Sequence, residues 1–206
     1  MKESPILMDQ ESVRGVLDGT KYQTRRLVKH KKCHSVPPGF TLADVSRSAY
    51  PDGSGLGWIF NSTPPAPGNA EWVKKMYPGN DGINCPFGNV GDRLWVRETW
   101  GKCDGGEIVF MASDDLLPRG FHGWKPSIHM PRWASRLTLE ITNVKAELLH
   151  DISEEDAKAE GTDSVKDFKR RWEGIHGKGS WKKNLWLWCI SFKQIPHEQG
   201  KIGRIA

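Results

Sequence analysis

Apolar positions along this chain fall into short, distinct patterns separated by a long stretch that has none. Between Gln10 and Asp18, Val13, Val16 and Leu17 recur at i, i+3 and i+4, the spacing of one helix face. Asp9 stands where an N-cap belongs, and Gly19 where the helix should stop. Lys21 to Leu27 should leave that turn extended, with Thr24 and Arg26 on one strand face and Lys21 bending round to join them. From Lys29 to about Gly91 the pattern gives way to turn signals. These are Pro37-Pro38-Gly39, Pro51-Asp52-Gly53-Ser54-Gly55, Pro64-Pro65-Ala66-Pro67-Gly68 and Pro78-Gly79-Asn80-Asp81-Gly82. Within it, Gly57-Trp58-Ile59-Phe60 and Trp72-Val73 are apolar enough to pair as one hairpin. We read residues 29–90 as an irregular insertion in one domain, since loops this long usually serve as lids or binding elements.

Patterning resumes at Asp92–Trp100, where alternation predicts a half-buried strand, and at Ile108–Ala112. Arg136–Leu149 is the longest strand candidate. Its alternation through Leu137, Leu139, Ile141 and Val144 breaks near Thr142-Asn143, where a bulge is expected. Ser153, with Asp156 three residues on, reads as a capping box opening a helix that runs to Glu160 and stops at Gly161. A second helix, Ser164–Ile175, groups Val165, Phe168 and Trp172 on one face. Leu185–Phe192 is apolar on both faces and therefore a central strand. The tail from about Pro196 is polar. Five or so strands with two or three helices predict a small mixed α+β barrel spanning 1–206 as a single domain.

Composition adds bounds. A chain of 206 residues buries a core without metal or disulfide staples. Cys33, Cys85, Cys103 and Cys189 form no C-x-x-C pair, which suits free thiols in a reducing compartment. No run reaches the ~18 apolar residues of a membrane span and the first residues lack a leader's apolar stretch, so a cytoplasmic location is expected. The 30 Lys+Arg against 25 Asp+Glu give a net charge of +5, a basic excess that suits nucleic-acid or nucleotide partners. Ten tryptophans can fill a core or stack on bases.

The candidate chemistry is concentrated in Gly19-Thr20-Lys21-Tyr22-Gln23-Thr24-Arg25-Arg26, which sets an amine, a hydroxyl and two guanidiniums beside a glycine. Lys21 suits a base or electrostatic activator, Thr24 a nucleophile, Arg26 an anion clamp. The same residues equally suit phosphate binding or carboxylate pairing without chemistry. Lys125, Ser127, His129, Arg132, Trp133 and Arg136, near Trp124, form a second cluster able to stack a base and hold phosphates, or simply to cap the barrel. Arg25 and Arg26 would extend that basic surface. Glu98, at a strand end, is a further acid or a partner for Arg97 or Lys102. His30-x-x-Cys33-His34 with Cys85 is a weak metal candidate, outweighed by a solvated basic loop. No phosphate loop or dinucleotide fingerprint is present, and Gly53-Ser54-Gly55 lacks the strand-before, helix-after context, so no cofactor is expected.

Read as Gly-x-Lys-x-x-Thr-x-Arg, the octapeptide resembles the signature of ASCH domains, members of the PUA-like superfamily of small barrels. Gly91-Asp92 resembles the pair that opens the strand after that signature, and Trp124–Arg136 resembles the larger versions found in bacteriophages and prophages. The resemblance implies a PUA-like barrel and recognition of RNA or a modified nucleoside; for a phage protein it implies the host cytoplasm. One ASCH enzyme type removes the acetyl group from N4-acetylcytidine with Lys, Thr and Glu. Its residues would map to Lys21 as activator, Thr24 as nucleophile and, through Asp156–Gly161, Glu160 as acid/base. An RNA phosphodiester is the other hydrolytic target in view. Binding of a host protein through residues 35–90 is a third possibility, and it leaves Lys21 without a role.

Overall fold

The computed structural model describes residues 1–27, 45–49, 56–60, 85–113 and 116–196. In chain order the elements are β1 (Glu3–Leu7), α1 (Gln10–Leu17), β2 (Gln23–Leu27), β3 (Val45–Ala49), β4 (Leu56–Phe60), β5 (Arg93–Arg97) and β6 (Trp100–Cys103). There follow β7 (Ile108–Phe110), β8 (Phe121–Lys125), β9 (Thr138–Leu148), α2 (Glu154–Ala159), α3 (Val165–His176) and β10 (Trp186–Ile195). Five strands form the main sheet in the order β1-β5-β9-β10-β2. Only β1 and β5 pair in parallel; the other pairs are antiparallel. A small sheet, β7-β6-β8, stands apart from it, and β3 pairs with β4 as a hairpin.

Local chemistry explains the elements nearest the site. The Asp9 carboxylate accepts from the Ser12 amide at 2.8 Å and caps α1, whose Val13 and Val16 are buried. Leu17 departs from the expected face: it is 41% exposed, because the chain leaves the helix through Asp18 and Gly19 (φ +73°) before that side chain turns inward. Ser153 and Asp156 close their capping box with backbone bonds of 3.1 and 3.4 Å. Gly161 then ends α2 at φ +80°, a conformation that costs an L-residue dearly. The β9–β10 register skips Thr142, pairing Ser191 with Asn143 and Phe192 with Ile141, so the bulge lies where the alternation breaks.

Two apolar layers sandwich the sheet. On one face Ile6, Leu94, Val96, Leu139, Ile141, Trp188, Ile190 and Phe192 pack with Val13 and Val16 of α1. On the other, Leu187, Leu149 and Ile152 pack with Ala157 of α2 and with Phe168 and Trp172 of α3. β10, buried on both faces and flanked by β9 and β2, is an interior strand of the sheet, next to its edge, where a central one is expected. The edges of the sheet curl towards each other, and Arg26 of β2 reaches the Leu7 carbonyl of β1 at 2.6 Å.

Three sequence expectations change. β1 is an addition: Pro5 argues against a strand, yet a sheet edge tolerates a residue without an N–H. β4 takes β3 as its partner; Trp72-Val73, with the rest of residues 61–84, lies outside the described residues. β8 falls where the sequence suggests connecting chain, because Gly120 and Gly123, both at positive φ, interrupt its pattern. Residues 197–206 of the polar tail also lie outside the described residues. Among the described residues, no helix is long and apolar enough to cross a membrane.

Candidate functional site

Lys21 sits between the end of α1 and the start of β2, and its backbone bridges antiparallel to Glu160, the residue that caps α2. The Lys21 amide donates to the Gly15 carbonyl at 2.8 Å and the Tyr22 amide to the Ala159 carbonyl at 3.0 Å, so backbone bonds fix the site on both sides. Lys21 Nζ then donates to Glu160 Oε2 at 2.6 Å and to the Glu160 carbonyl at 2.8 Å. Both residues are only 5% exposed. Gly161 lies against the lysine stem: a Cβ there would stand 3.2 Å from Lys21 Cβ. Burial pulls the Lys21 ammonium below its ordinary 10.5; the Glu160 carboxylate opposes the fall, and the Arg171 and Arg26 charges add to it.

Alternation along β2 separates its side chains. Thr24 pairs with Ile190 and Arg26 with Trp188, which places both on the α1 side of the sheet. Thr24 is 4% exposed and forms no hydrogen bond with Lys21 or Glu160. Arg26 is half-buried, and its Nε finds no acceptor among the described residues. Gln23 and Arg25 face α2 and α3 instead. There the Arg25 guanidinium meets Gln23 Oε1 at 2.6 Å, Glu147 at 3.0 Å, Asp156 at 3.1 Å and Glu160 Oε1 at 3.5 Å. Burial works against its charge, yet the neighbouring Cys189, Glu160, Asp156 and Glu147 hold its pKa above the usual value. Arg25 and Arg26 therefore do not extend one basic surface: they point to opposite faces, and Arg25 is spent on carboxylates.

The network contains residues that the sequence did not single out. Lys145 pairs with Glu147. Arg171 of α3 reaches the start of α1, at 2.7 Å from both Asp9 and Glu11. Glu147, Lys145 and Gln23 carry no motif, so only the register that sets Cys189 between Arg25 and Lys145 brings them together. Asp156 was visible as a cap but not as an Arg25 partner.

The second cluster divides. Arg136 makes a two-pronged pair with Glu98, both bonds 2.9 Å, and donates to Ser113 Oγ at 2.8 Å. With Glu98 1% exposed, that pair is a buried strut, which accounts for both residues. Arg132 pairs with Glu3 across the β1 edge. Ser127 and His129 lie on a single 3₁₀ turn, Ser127–His129, and Lys125 and Trp133 belong to a different surface from Lys21. His30, Cys33 and His34 lie outside the described residues, and among those described no group of three or more His, Cys, Asp or Glu is placed to hold a metal.

Asp92 is structural: it accepts from the Lys2 amide at 2.6 Å and the Asn89 amide at 3.0 Å, tying the starts of β1 and β5 together. A curled mixed sheet with α1 on one side and α2 and α3 on the other is the α+β arrangement expected. No family model matches the chain, and no curated protein matches it. Among solved structures it is similar to an ASCH domain from Lactobacillus crispatus JV V101, at 13% identity and TM-score 0.41, over 94% of this chain and 79% of that one. It is also similar to a DUF984 protein from Enterococcus faecalis V583, at 11% identity and TM-score 0.40, over 95% and 80%.

Proposed function

We propose that the chain recognises a modified nucleoside, free or within RNA, with Lys21, Thr24, Arg26 and Glu160. The observation that supports this most directly is the buried Lys21–Glu160 contact of 2.6 Å. A buried ammonium and carboxylate present a donor beside an acceptor, the complement of the polar edge of a base, in surroundings where each hydrogen bond is worth more than in water. The unsatisfied Arg26 Nε is a further donor on the Thr24 face, and Tyr22, 53% exposed beside Lys21, offers a ring for stacking. The near-complete burial of Lys21, Thr24 and Glu160 suits a ligand of nucleoside size better than an open strand groove.

A second reading is amide hydrolysis on such a base, favoured by the lowered pKa of Lys21. A lysine that gives up its proton more readily can, once neutral, accept the Thr24 proton as the hydroxyl oxygen attacks the carbonyl; that proton passes to Glu160, hydrogen-bonded to Lys21, and from it to the departing amine, and water then hydrolyses the acyl ester left on Thr24.

Calorimetric titration with cytidine and N4-acetylcytidine, followed by chromatography for released cytidine, tests both. Saturable binding that disappears in Lys21→Ala and Thr24→Val supports recognition, and turnover in the wild type adds the hydrolytic step. Absence of saturation at millimolar nucleoside, or unchanged binding in Lys21→Ala, sinks the proposal.

A further inference from the structure

Away from Lys21, the small sheet gathers cations over indole rings. Trp100 and Lys102 share one side of β6, and the register sets Lys125 of β8 opposite Trp100. Lys125 Nζ lies 5.3 Å from the Trp100 ring centroid, while Lys102 Nζ lies 5.9 Å from Trp100 and 4.7 Å from Trp133. Trp133, on the 3₁₀ turn Arg132–Ala134, meets Trp100 edge to face at 6.0 Å and yet remains 60% exposed. Alongside, Arg97 and Arg132 stand 5.4 and 5.9 Å from the Trp95 ring, and Arg97 donates to the Ile128 carbonyl. Of these four cations, Arg132 alone pairs with a carboxylate among the described residues, Glu3.

We propose that this face is a docking platform for single-stranded nucleic acid. Charge complementarity selects that occupant, because among the described residues no carboxylate pairs with Lys102, Lys125 or Arg97, and the two lysines flank the exposed Trp133 and its partner Trp100. Bases stack on Trp133, whose edge contact with Trp100 holds the ring in place before a strand arrives. Phosphates lie against Lys102, Lys125 and Arg97. Each base has a flat face, so the platform is tolerant of sequence. The inference extends the nucleoside reading to a strand but does not use the Lys21 site.

The test is fluorescence anisotropy of the full chain with labelled oligouridine and oligothymidine of about 16 nucleotides. Saturable binding whose affinity falls with salt is expected. Trp133→Ala, a change at an exposed ring, weakens it about fivefold or more. Lys102→Ala/Lys125→Ala flattens the logarithmic salt slope by about 1.4, some 0.7 for each phosphate no longer neutralised. Lys182→Ala/Lys183→Ala removes the same charge elsewhere on the surface and leaves the slope of the wild type. RNA and DNA of equal affinity support stacking alone; preference for RNA supports stacking with a bond to the 2′-hydroxyl. No saturable binding at low salt overturns the proposal. So does an equal loss in both lysine pairs, or polyglutamate competing as well as oligouridine with Trp133→Ala unaffected, which marks an acidic protein as the partner. Strand binding lost while the wild type still binds nucleoside removes the platform and leaves the Lys21 site; the converse removes only that site.

Discussion

Lys21→Met and Glu160→Gln, made singly and together, probe the pair on which the site is built. In Lys21→Met the Glu160 carboxylate, 5% exposed in the wild type, loses its 2.6 Å partner and among the described residues keeps Arg25 Nη1 at 3.5 Å. Breaking a buried pair costs about 3–5 kcal/mol, and the remaining guanidinium sets this variant near about 3. In Glu160→Gln the Lys21 ammonium keeps the carbonyl bond of 2.8 Å and loses its counter-charge. Its cost has a ceiling, because the amine can shed its proton: from 10.5 to pH 7 is about 3.5 pH units, or about 5 kcal/mol at 1.36 per unit. The double variant removes both charges and should cost less than the sum of the singles by about 2 kcal/mol or more. Urea unfolding followed by tryptophan fluorescence measures all four corners. Single losses below about 1 kcal/mol would mean a solvated pair. Additivity within about 0.5 kcal/mol would mean that the two charges do not meet, and either result would falsify the geometry. A double variant as stable as the wild type that no longer binds nucleoside shows that the pair is kept for its ligand and not for the fold.

The lowered Lys21 pKa gives the protein a pH signature. Between the folded value and 10.5 the unfolded chain binds more protons at this lysine, so its contribution to stability rises with pH across that window. The stability gap between wild type and Lys21→Met should therefore shift in favour of the wild type as pH rises towards 10.5, and a flat gap contradicts the burial argument. Glu98 has the opposite sign. Burial raises its pKa above 4.5 despite Arg136, so its contribution is present below 4.5 and fades as pH rises through the folded value. Subtracting Glu98→Gln unfolding data should show that decline. Gly161→Ala places a side chain at φ +80° and 3.2 Å from Lys21 Cβ, and should cost about 1–2 kcal/mol, a Tm lower by about 2–8 °C; no change means the backbone there relaxes freely. Cys189 is fully buried and its thiol is pushed up to about 12, so iodoacetamide should leave it unmodified until the chain unfolds, as peptide mass mapping will show.

What the sequence revealed was local. The Asp9 cap, the Ser153–Asp156 box, the stop at Gly161 and the bulge at Thr142 each depend on residues within a few positions, and all are in place. What it concealed was distant pairing. β1 is a strand because β5, some 90 residues on, offers it a parallel edge, and nothing in Glu-Ser-Pro-Ile-Leu announces that. Lys21 and Glu160 are 139 residues apart, and only the resemblance of the octapeptide placed them in one site. The destination of Arg25 could not be read from the two adjacent arginines, because strand alternation sends one inward to carboxylates and the other to the barrel seam. The cluster from Lys125 to Arg136 looked like one surface, but its 3₁₀ turns and the start of β9 distribute it between a buried strut and an exposed aromatic face.

The seam where β2 meets β1 decides how the two proposed surfaces relate. Arg26, on the Thr24 face of β2, donates to the Leu7 carbonyl; Leu7 is in register with Arg97; and Arg97 lies over Trp95 and donates to Ile128. These contacts run from the Lys21 side of the barrel to the platform across a single strand edge. They carry no switch, since none of them has a second arrangement in view. On the two proposals together, a strand carrying a modified nucleoside at its end should bind more tightly than the strand or the nucleoside alone, the gain coming from effective concentration; equal affinity for the tethered and untethered ligands means that the surfaces act separately. The linker length that maximises that affinity would measure the distance between the two proposed surfaces.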